Sequence, residues 1–460
     1  MLPNWAPKES SMKFSSIPVN RIISEKHPLV VLGLSATIAV VLVLRCFNAV
    51  FYPILFNEDG TQIFAYFLNN PYPSEIFRFY EGYISLIPNL IGFITTSLFP
   101  MHVVPYLMVS ISLGFAVVAL SMFSLRRFRF IMPDDKSRIL VCLIVALFPL
   151  GNHALVTNVT FSIWNIFTIA LLMILSPLPN SKWARSAQLG FIALAVFSHP
   201  YSVLLIPICI ALIFMRPSLP DRMTNAGIVV LAVLYFFLGV NRSVVIPQAD
   251  VTTILVTFEC IVHRIVFEPV FGNNLRMILQ EAGQPSVIYL LASFIMAALV
   301  AVVANNTKTP ELKNKLPMFG FLLFVVLSLT YISVFGRLGK YESFLSFAWA
   351  QRYFYTQQLL FVFMIVLYAV GLASWKRWTT IAKIAVATFL VCYVSYLNIH
   401  HVPYFKTSRE HGIATIRFLR EADRQLSISR SRGEVPQQMI LHRDGKWDIK
   451  IIVPGNEEHR

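Results

Sequence analysis

Long apolar runs broken by short basic segments set the pattern of this chain. A membrane-spanning helix needs about 20 mostly apolar residues. Eleven runs approach that length: 29–50, 103–125, 139–156, 158–176, 186–199, 201–215, 225–240, 286–304, 317–335, 354–373 and 384–399. A backbone in hydrocarbon must close its hydrogen bonds on itself, so each run is predicted helical whatever its propensities.

Orientation follows from the segments between the runs. Segments 1–28, 126–138, 177–185, 216–224, 305–316 and 374–383 all carry Lys or Arg, and short basic loops mark the cytoplasmic side. The run 82–99 (GYISLIPNLIGFITTSLF) is not counted as a span, because counting it would put Arg126, Arg127 and Arg129 outside and invert every later loop. It is expected to lie along the outer interface, helped by Pro71, Pro73 and Pro88 and by Tyr72, Tyr80 and Tyr83 at headgroup depth. The predicted fold is an all-α integral membrane protein of about eleven transmembrane helices, N-terminus inside and C-terminus outside. Its domains are a cytoplasmic segment 1–28, a bundle 29–399 whose first outer loop is 51–102, and an extracytoplasmic segment 400–460. Further outer segments are 241–285 and 336–353. The tail predicts a helix in EHGIATIRFLREADRQL, with Ile413, Ile416, Leu419 and Ala422 on one face. MILHR and DIKIIV around Asp444-Gly445 then predict a small hairpin, giving an α+β segment that packs on the bundle.

Composition agrees with a hydrocarbon solvent: 56% of the 460 residues are apolar and 13% charged, against about a quarter charged in soluble domains. The formal charge of +15 sits in the short loops, so it does not suggest nucleic acid. The five cysteines are scattered without a CxxC pair, which suggests neither zinc nor a disulfide framework. The chain lacks Gly-x-Gly-x-x-Gly, P-loop and Gly-x-Ser-x-Gly signatures.

Candidate chemistry begins with Glu58 and Asp59 in FNEDG. Asp-Gly is ordinary turn chemistry, yet charges near the hydrocarbon are costly enough to need a reason. An amphipathic stretch and the ledge 82–99 follow the pair, holding carboxylates beside lipid headgroups. Arg45 lies late in the first run and either snorkels outward or pairs with a carboxylate. Glu259, His263, Arg264 and Glu268 fall at helical spacing and read first as an amphipathic interfacial helix with i,i+4 pairs.

FNEDG at 56–60, YEGYISLIPNLIGF at 80–93 and LRRFRF at 125–130 together resemble the GT-C superfamily of polytopic membrane glycosyltransferases. The likeness is to O-antigen glucosyltransferases and related enzymes using polyprenyl-phosphate sugars. It implies sugar transfer from a polyprenyl-phosphate carrier to a glycan or lipid-linked acceptor, such as a lipopolysaccharide of the cell envelope. That would occur on the outer face of an inner (plasma) membrane. Asp59 is then expected as general base with Glu58 its neighbour, since an attacking hydroxyl must lose its proton. Arg352 and Tyr353 in AWAQRYFYTQQ resemble the family's Arg-aromatic segments, and Arg suits a phosphate leaving group; an interfacial anchor is the plain alternative. Arg337 and Lys340 in the same loop are weaker phosphate candidates. His199, in a turn the resemblance makes substrate-facing, and Arg78 and Glu81 on the ledge complete the expected binding set. No cofactor is implied beyond a divalent cation, Mg or Mn, which two adjacent carboxylates leave open. Competing readings are a transporter or flippase of a lipid-linked solute, a polysaccharide polymerase or ligase, and a non-catalytic envelope scaffold.

Overall fold

The computed structural model describes residues 27–55, 58–80, 82–132, 135–148, 150–151, 153–216, 218–240, 251–306, 316–335, 352–371, 409–432, 438–441 and 449–452. The protein is mostly helical, and every apolar run within those residues forms helix. Among the described residues three helices are long and apolar enough to cross a membrane: Pro28–Arg45, Val104–Ser124 and Leu219–Leu238. A bent pair, Lys182–Val196 and Pro200–Met215 at 115°, makes a fourth if counted as one span.

The other apolar helices depart from the expected boundaries in an instructive way. The run 139–156 is not one helix. It divides into Asp135–Leu147 and His153–Thr157, with Gly151 at φ +68° between them, a left-handed conformation glycine adopts at little cost. The next helix is Ile163–Leu175, thirteen residues or about 20 Å. Nearly all its side chains are buried, polar ones included, so this short helix is the centre of the bundle. Its length answers to protein neighbours, not to lipid thickness. The run 384–399 lies outside the described residues.

The perimeter inverts the soluble pattern. Leu29, Leu44, Phe214, Leu290 and Phe294 are each about 70–80% exposed, whereas the interior holds Asn165, Thr168, Ser333, Thr356 and Gln357 fully buried. Thr168 and Thr356 hydroxyls meet at 3.0 Å, and Gln357 donates to Ser333 Oγ at 2.9 Å. An apolar exterior of this extent marks a surface built to be covered.

The central helix defines two ends. At its C-terminal end Arg216 donates to the Ile174 and Ser176 carbonyls at 2.7 and 3.1 Å. Arg127 reaches Ser176 Oγ at 3.1 Å and Gln188 Oε1 at 2.8 Å. Cations thus close the terminal carbonyls of the helix, where its dipole is negative. These two arginines come from two different basic loops and converge on one end. Residues 58–59 lie at the other.

The ledge stays at that second end. A two-residue hairpin pairs Phe79–Tyr80 with Tyr83–Ile84, and Tyr83 bridges to Val240. The helix Leu86–Leu98 follows. Ile84 N donates to Gly239 O and Leu86 N to Phe197 O, tying its start to the far ends of two neighbouring helices. Just past its other end, Met101 and His102 meet Asp423 of the C-terminal helix. Both ends therefore face the acidic-turn side, and Leu86–Leu98 does not cross the bundle.

Arg45 caps a helix rather than a carboxylate: it donates to Phe148 O at 3.0 Å and to Leu147 O, at the end of Asp135–Leu147. The C-terminal helix Arg409–Arg432 and the antiparallel strands Gln438–Leu441 and Ile449–Ile452 pack beside residues 52–69. Leu419, Ala422, Ile449 and Ile451 join Leu55, Ile63, Phe64 and Phe67 in one apolar cluster. Ile416 faces inward as its spacing predicts, while Ile413 is 38% exposed. Gly412 lies so close to Tyr52 that a Cβ there would meet the Tyr52 carbonyl oxygen at 2.1 Å.

Candidate functional site at the acidic turn

Glu58 and Asp59 open a π-helical turn, Asp59–Phe64, just beyond the first helix. Such turns recur where local geometry serves a site. Asp59 is buried and its carboxylate is heavily engaged. Oδ2 accepts from Val159 N at 2.7 Å; Oδ1 accepts from Thr160 N at 2.8 Å and from Thr160 Oγ1 at 2.7 Å. Asn158 Oδ1 accepts from Thr160 N at 3.0 Å, holding the same turn from within. Burial pushes the Asp59 carboxyl up to about 7 against the pull of the Thr160 and Val159 bonds. Asp59 fastens the acidic turn to the approach of the central helix.

Glu58 is the opposite case. It is 8% exposed, and its Oε2 is buried with no hydrogen-bond partner among the described residues. Its Oε1 stands 3.7 Å from Arg352 Nη1, a loose ion pair rather than a hydrogen bond. The Arg352 guanidinium lies 4.3 Å from the Phe161 ring centroid and 5.1 Å from that of Tyr353, whose hydroxyl it reaches at 3.2 Å. Arginine's flat, weakly hydrated face suits such stacking. Its side chain is 20% exposed, so the pair is open on one side.

Aromatic rings extend the site. Trp164 packs edge-on against Tyr353 at 5.8 Å, Tyr201 at 5.0 Å and His199 at 4.4 Å. His199 Nδ1 accepts from Tyr201 N at 3.0 Å, which caps the turn Pro200–Leu204. Its Nε2 is buried and unpartnered among the described residues. With Nδ1 accepting, Nε2 carries the proton and is a donor in waiting. Asn158 Nδ2 and Ser202 Oγ are likewise buried and unpartnered among the described residues.

The fold therefore gathers Glu58, Asp59, Arg352, Tyr353 and His199 from three separate stretches of chain. It does not gather Arg78, which stacks 3.5 Å over the Tyr66 ring and donates to Gln62 O, while Tyr66 donates to Glu75. That set holds the ledge together. Glu81, Arg337 and Lys340 lie outside the described residues. The two carboxylates face different partners, and no group of three His, Cys, Asp or Glu converges among the described residues. Phe161, Trp164, Tyr201, Asn158 and Thr160 were not singled out from sequence. The NVTFSIW stretch offers one local signal, an Asn placed to cap at the head of a buried run.

The stretch 251–271 corrects a second expectation. His263, Arg264 and Glu268 are buried, not interfacial, and Val251, Ile254, Leu255 and Phe258 point outward instead. Arg264 pairs with Glu268 at 2.8 Å, the expected i,i+4 contact, and Arg276 Nε lies 3.4 Å from the same carboxylate. Asn273 Oδ1 accepts from both arginines, at 3.3 and 2.7 Å. His263 Nδ1 lies 3.3 Å from Gln280 Nε2, and its ring packs on Tyr289.

No known protein family, curated protein or solved structure matches this chain.

Proposed function

We propose that the protein is a membrane glycosyltransferase that moves a sugar from a polyprenyl-phosphate carrier to a glycan or lipid-linked acceptor. The reading rests on one observation above all. A buried carboxylate, one oxygen of which has no hydrogen-bond partner among the described residues, stands 3.7 Å from a stacked, partly open guanidinium at the acidic-turn end. A hydroxyl acceptor needs a base and a phosphate leaving group needs a cation.

In this proposal Glu58, rather than Asp59, takes the base's role. Asp59 already accepts three hydrogen bonds, whereas Glu58 Oε2 accepts none among the described residues. The acceptor oxygen forms its bond to the anomeric carbon as Glu58 takes its proton. The anomeric carbon–oxygen bond to the carrier breaks, and the phosphate leaves with the electron pair toward Arg352. A donor phosphate would split the loose Glu58–Arg352 pair and free both groups for these roles. The donor of His199 and the rings of Trp164 and Tyr201 suit a hydroxylated, uncharged sugar. A multi-pass bundle in an inner or plasma membrane, with this end extracytoplasmic, completes the proposal. The basic loops at the opposite end support it.

The test is Glu58→Gln in protein inserted and expressed at the normal level. Transfer to the surface glycan should fall roughly 10²- to 10⁴-fold; unchanged transfer overturns the assignment. Arg352→Ala should weaken donor use more than Arg352→Lys, since the lysine keeps the charge but not the planar fork.

A further inference from the structure

We infer that the exposed arginine row on the C-terminal helix Arg409–Arg432 binds the anionic phosphate headgroups of the lipid leaflet on the acidic-turn side. This stands apart from the glycosyltransferase reading.

At 3.6 residues per turn, Arg409, Arg417, Arg420 and Arg424 fall within an arc of about 80°, spread over about 22 Å of helix. All four are exposed. Ile413 lies in the same arc and is 38% exposed. The opposite side, through Thr415, Leu419 and Ala422, is buried in the bundle. Two acids border the row: Glu421 pairs with Arg424 at 2.9 Å, and Glu410 lies exposed beside Arg409. Arg417 and Arg420 have no ion pair among the described residues.

The helix is anchored at two points that fix its level. Near its start Gly412 abuts Tyr52, and the Arg409 guanidinium lies 4.8 Å over the Tyr52 ring. About three turns later Asp423 accepts from Met101 N and His102 N, and pairs with His102 Nδ1 at 2.6 Å. Each anchor adjoins large apolar side chains left exposed, Phe47 and Phe51 at the first, Leu98 and Phe99 at the second. Those residues end helices whose apolar faces point outward. The helix therefore lies across the bundle's end at the depth where hydrocarbon gives way to headgroups. An amphipathic helix at that depth with arginines along its polar shoulder is matched in charge to anionic lipid.

The test uses the full-length protein in neutral detergent, titrated with phosphatidylglycerol or phosphatidylcholine, with bound lipid counted by native mass spectrometry. Wild type should retain phosphatidylglycerol over phosphatidylcholine. The triple variant Arg417→Gln/Arg420→Gln/Arg424→Gln should bind phosphatidylglycerol at least about tenfold more weakly, with an unchanged melting temperature. The corresponding triple lysine variant should keep most of the binding. Equal retention of the two lipids by wild type, or a glutamine variant that binds as wild type does, overturns the inference. Displacement of the lipid by equimolar inorganic phosphate also overturns it, since the site would then belong to the free ion. Should the glutamine variant fail to fold, wild type still decides the matter. Its phosphatidylglycerol binding must weaken as salt rises from about 0.05 to 0.5 M, and salt-independent binding sinks the inference.

Discussion

Two regions bury a glutamate beside arginine, and they are built differently. Around Glu268 the contacts are short and shared: Arg264 at 2.8 Å, Arg276 at 3.4 Å, and Asn273 binding both guanidinia. Around Glu58 the ion pair is 3.7 Å long and one carboxylate oxygen has no partner among the described residues. Burial and charge are common to both, so neither property separates a structural cluster from a reactive one. The carboxylate separates them: Glu268 takes a 2.8 Å hydrogen bond from Arg264, whereas Glu58 Oε2 takes none among the described residues. A buried polar atom left without a bond costs free energy, and a ligand group that filled the gap beside Glu58 would recover it.

The sharpest way to break this contrast is Glu268→Ala. Removing the carboxylate strands two buried guanidinia, and the expected loss is about 3–5 kcal/mol. It should appear as a collapse in folded yield after detergent extraction. Glu58→Ala should leave the yield near wild type, because Arg352 remains partly open to solvent. If the two glutamates exchanged these outcomes, the distinction drawn here would fail.

Asp59→Asn comes next, at about 1–3 kcal/mol, since an amide cannot accept all three bonds from Val159 and Thr160. Its pH signature is separable. The folded carboxyl is raised to about 7, above the usual carboxylate value, so its protonated form is favoured by folding. That contribution is fully present below the unfolded value near 4 and is lost as pH climbs through about 7. Wild-type melting temperature should therefore fall between about pH 4 and 7 more steeply than that of Asp59→Asn. Parallel curves would show that Asp59 does not titrate in that window.

The smallest expected effect is Glu421→Gln. The Glu421–Arg424 pair is exposed on both sides, so its loss should shift stability by less than about 0.5 kcal/mol. A larger change by thermal melt would mean the C-terminal helix depends on its outer face.

Much of the architecture was legible in the chain. Apolar runs marked helices because solvent preference is carried by each residue locally, and the strands at 438–441 and 449–452 followed from alternation around Asp-Gly. The basic loops foretold that Arg127 and Arg216 would share one end of the central helix. Helix lengths were less legible. Gly151 and the short helix Ile163–Leu175 interrupt runs that read as continuous, because interior helices answer to protein neighbours instead of lipid thickness.

The sequence by itself settled that Glu58 and Asp59 are adjacent acids beside an apolar helix, and that Arg352 stands among aromatic residues. Only the tertiary structure decided which acid is saturated and which faces the guanidinium. Hydrophobicity is a property each side chain brings with it. Hydrogen-bond satisfaction belongs to pairs of groups, and here the partners of residues 58 and 59 arrive from around positions 160 and 352.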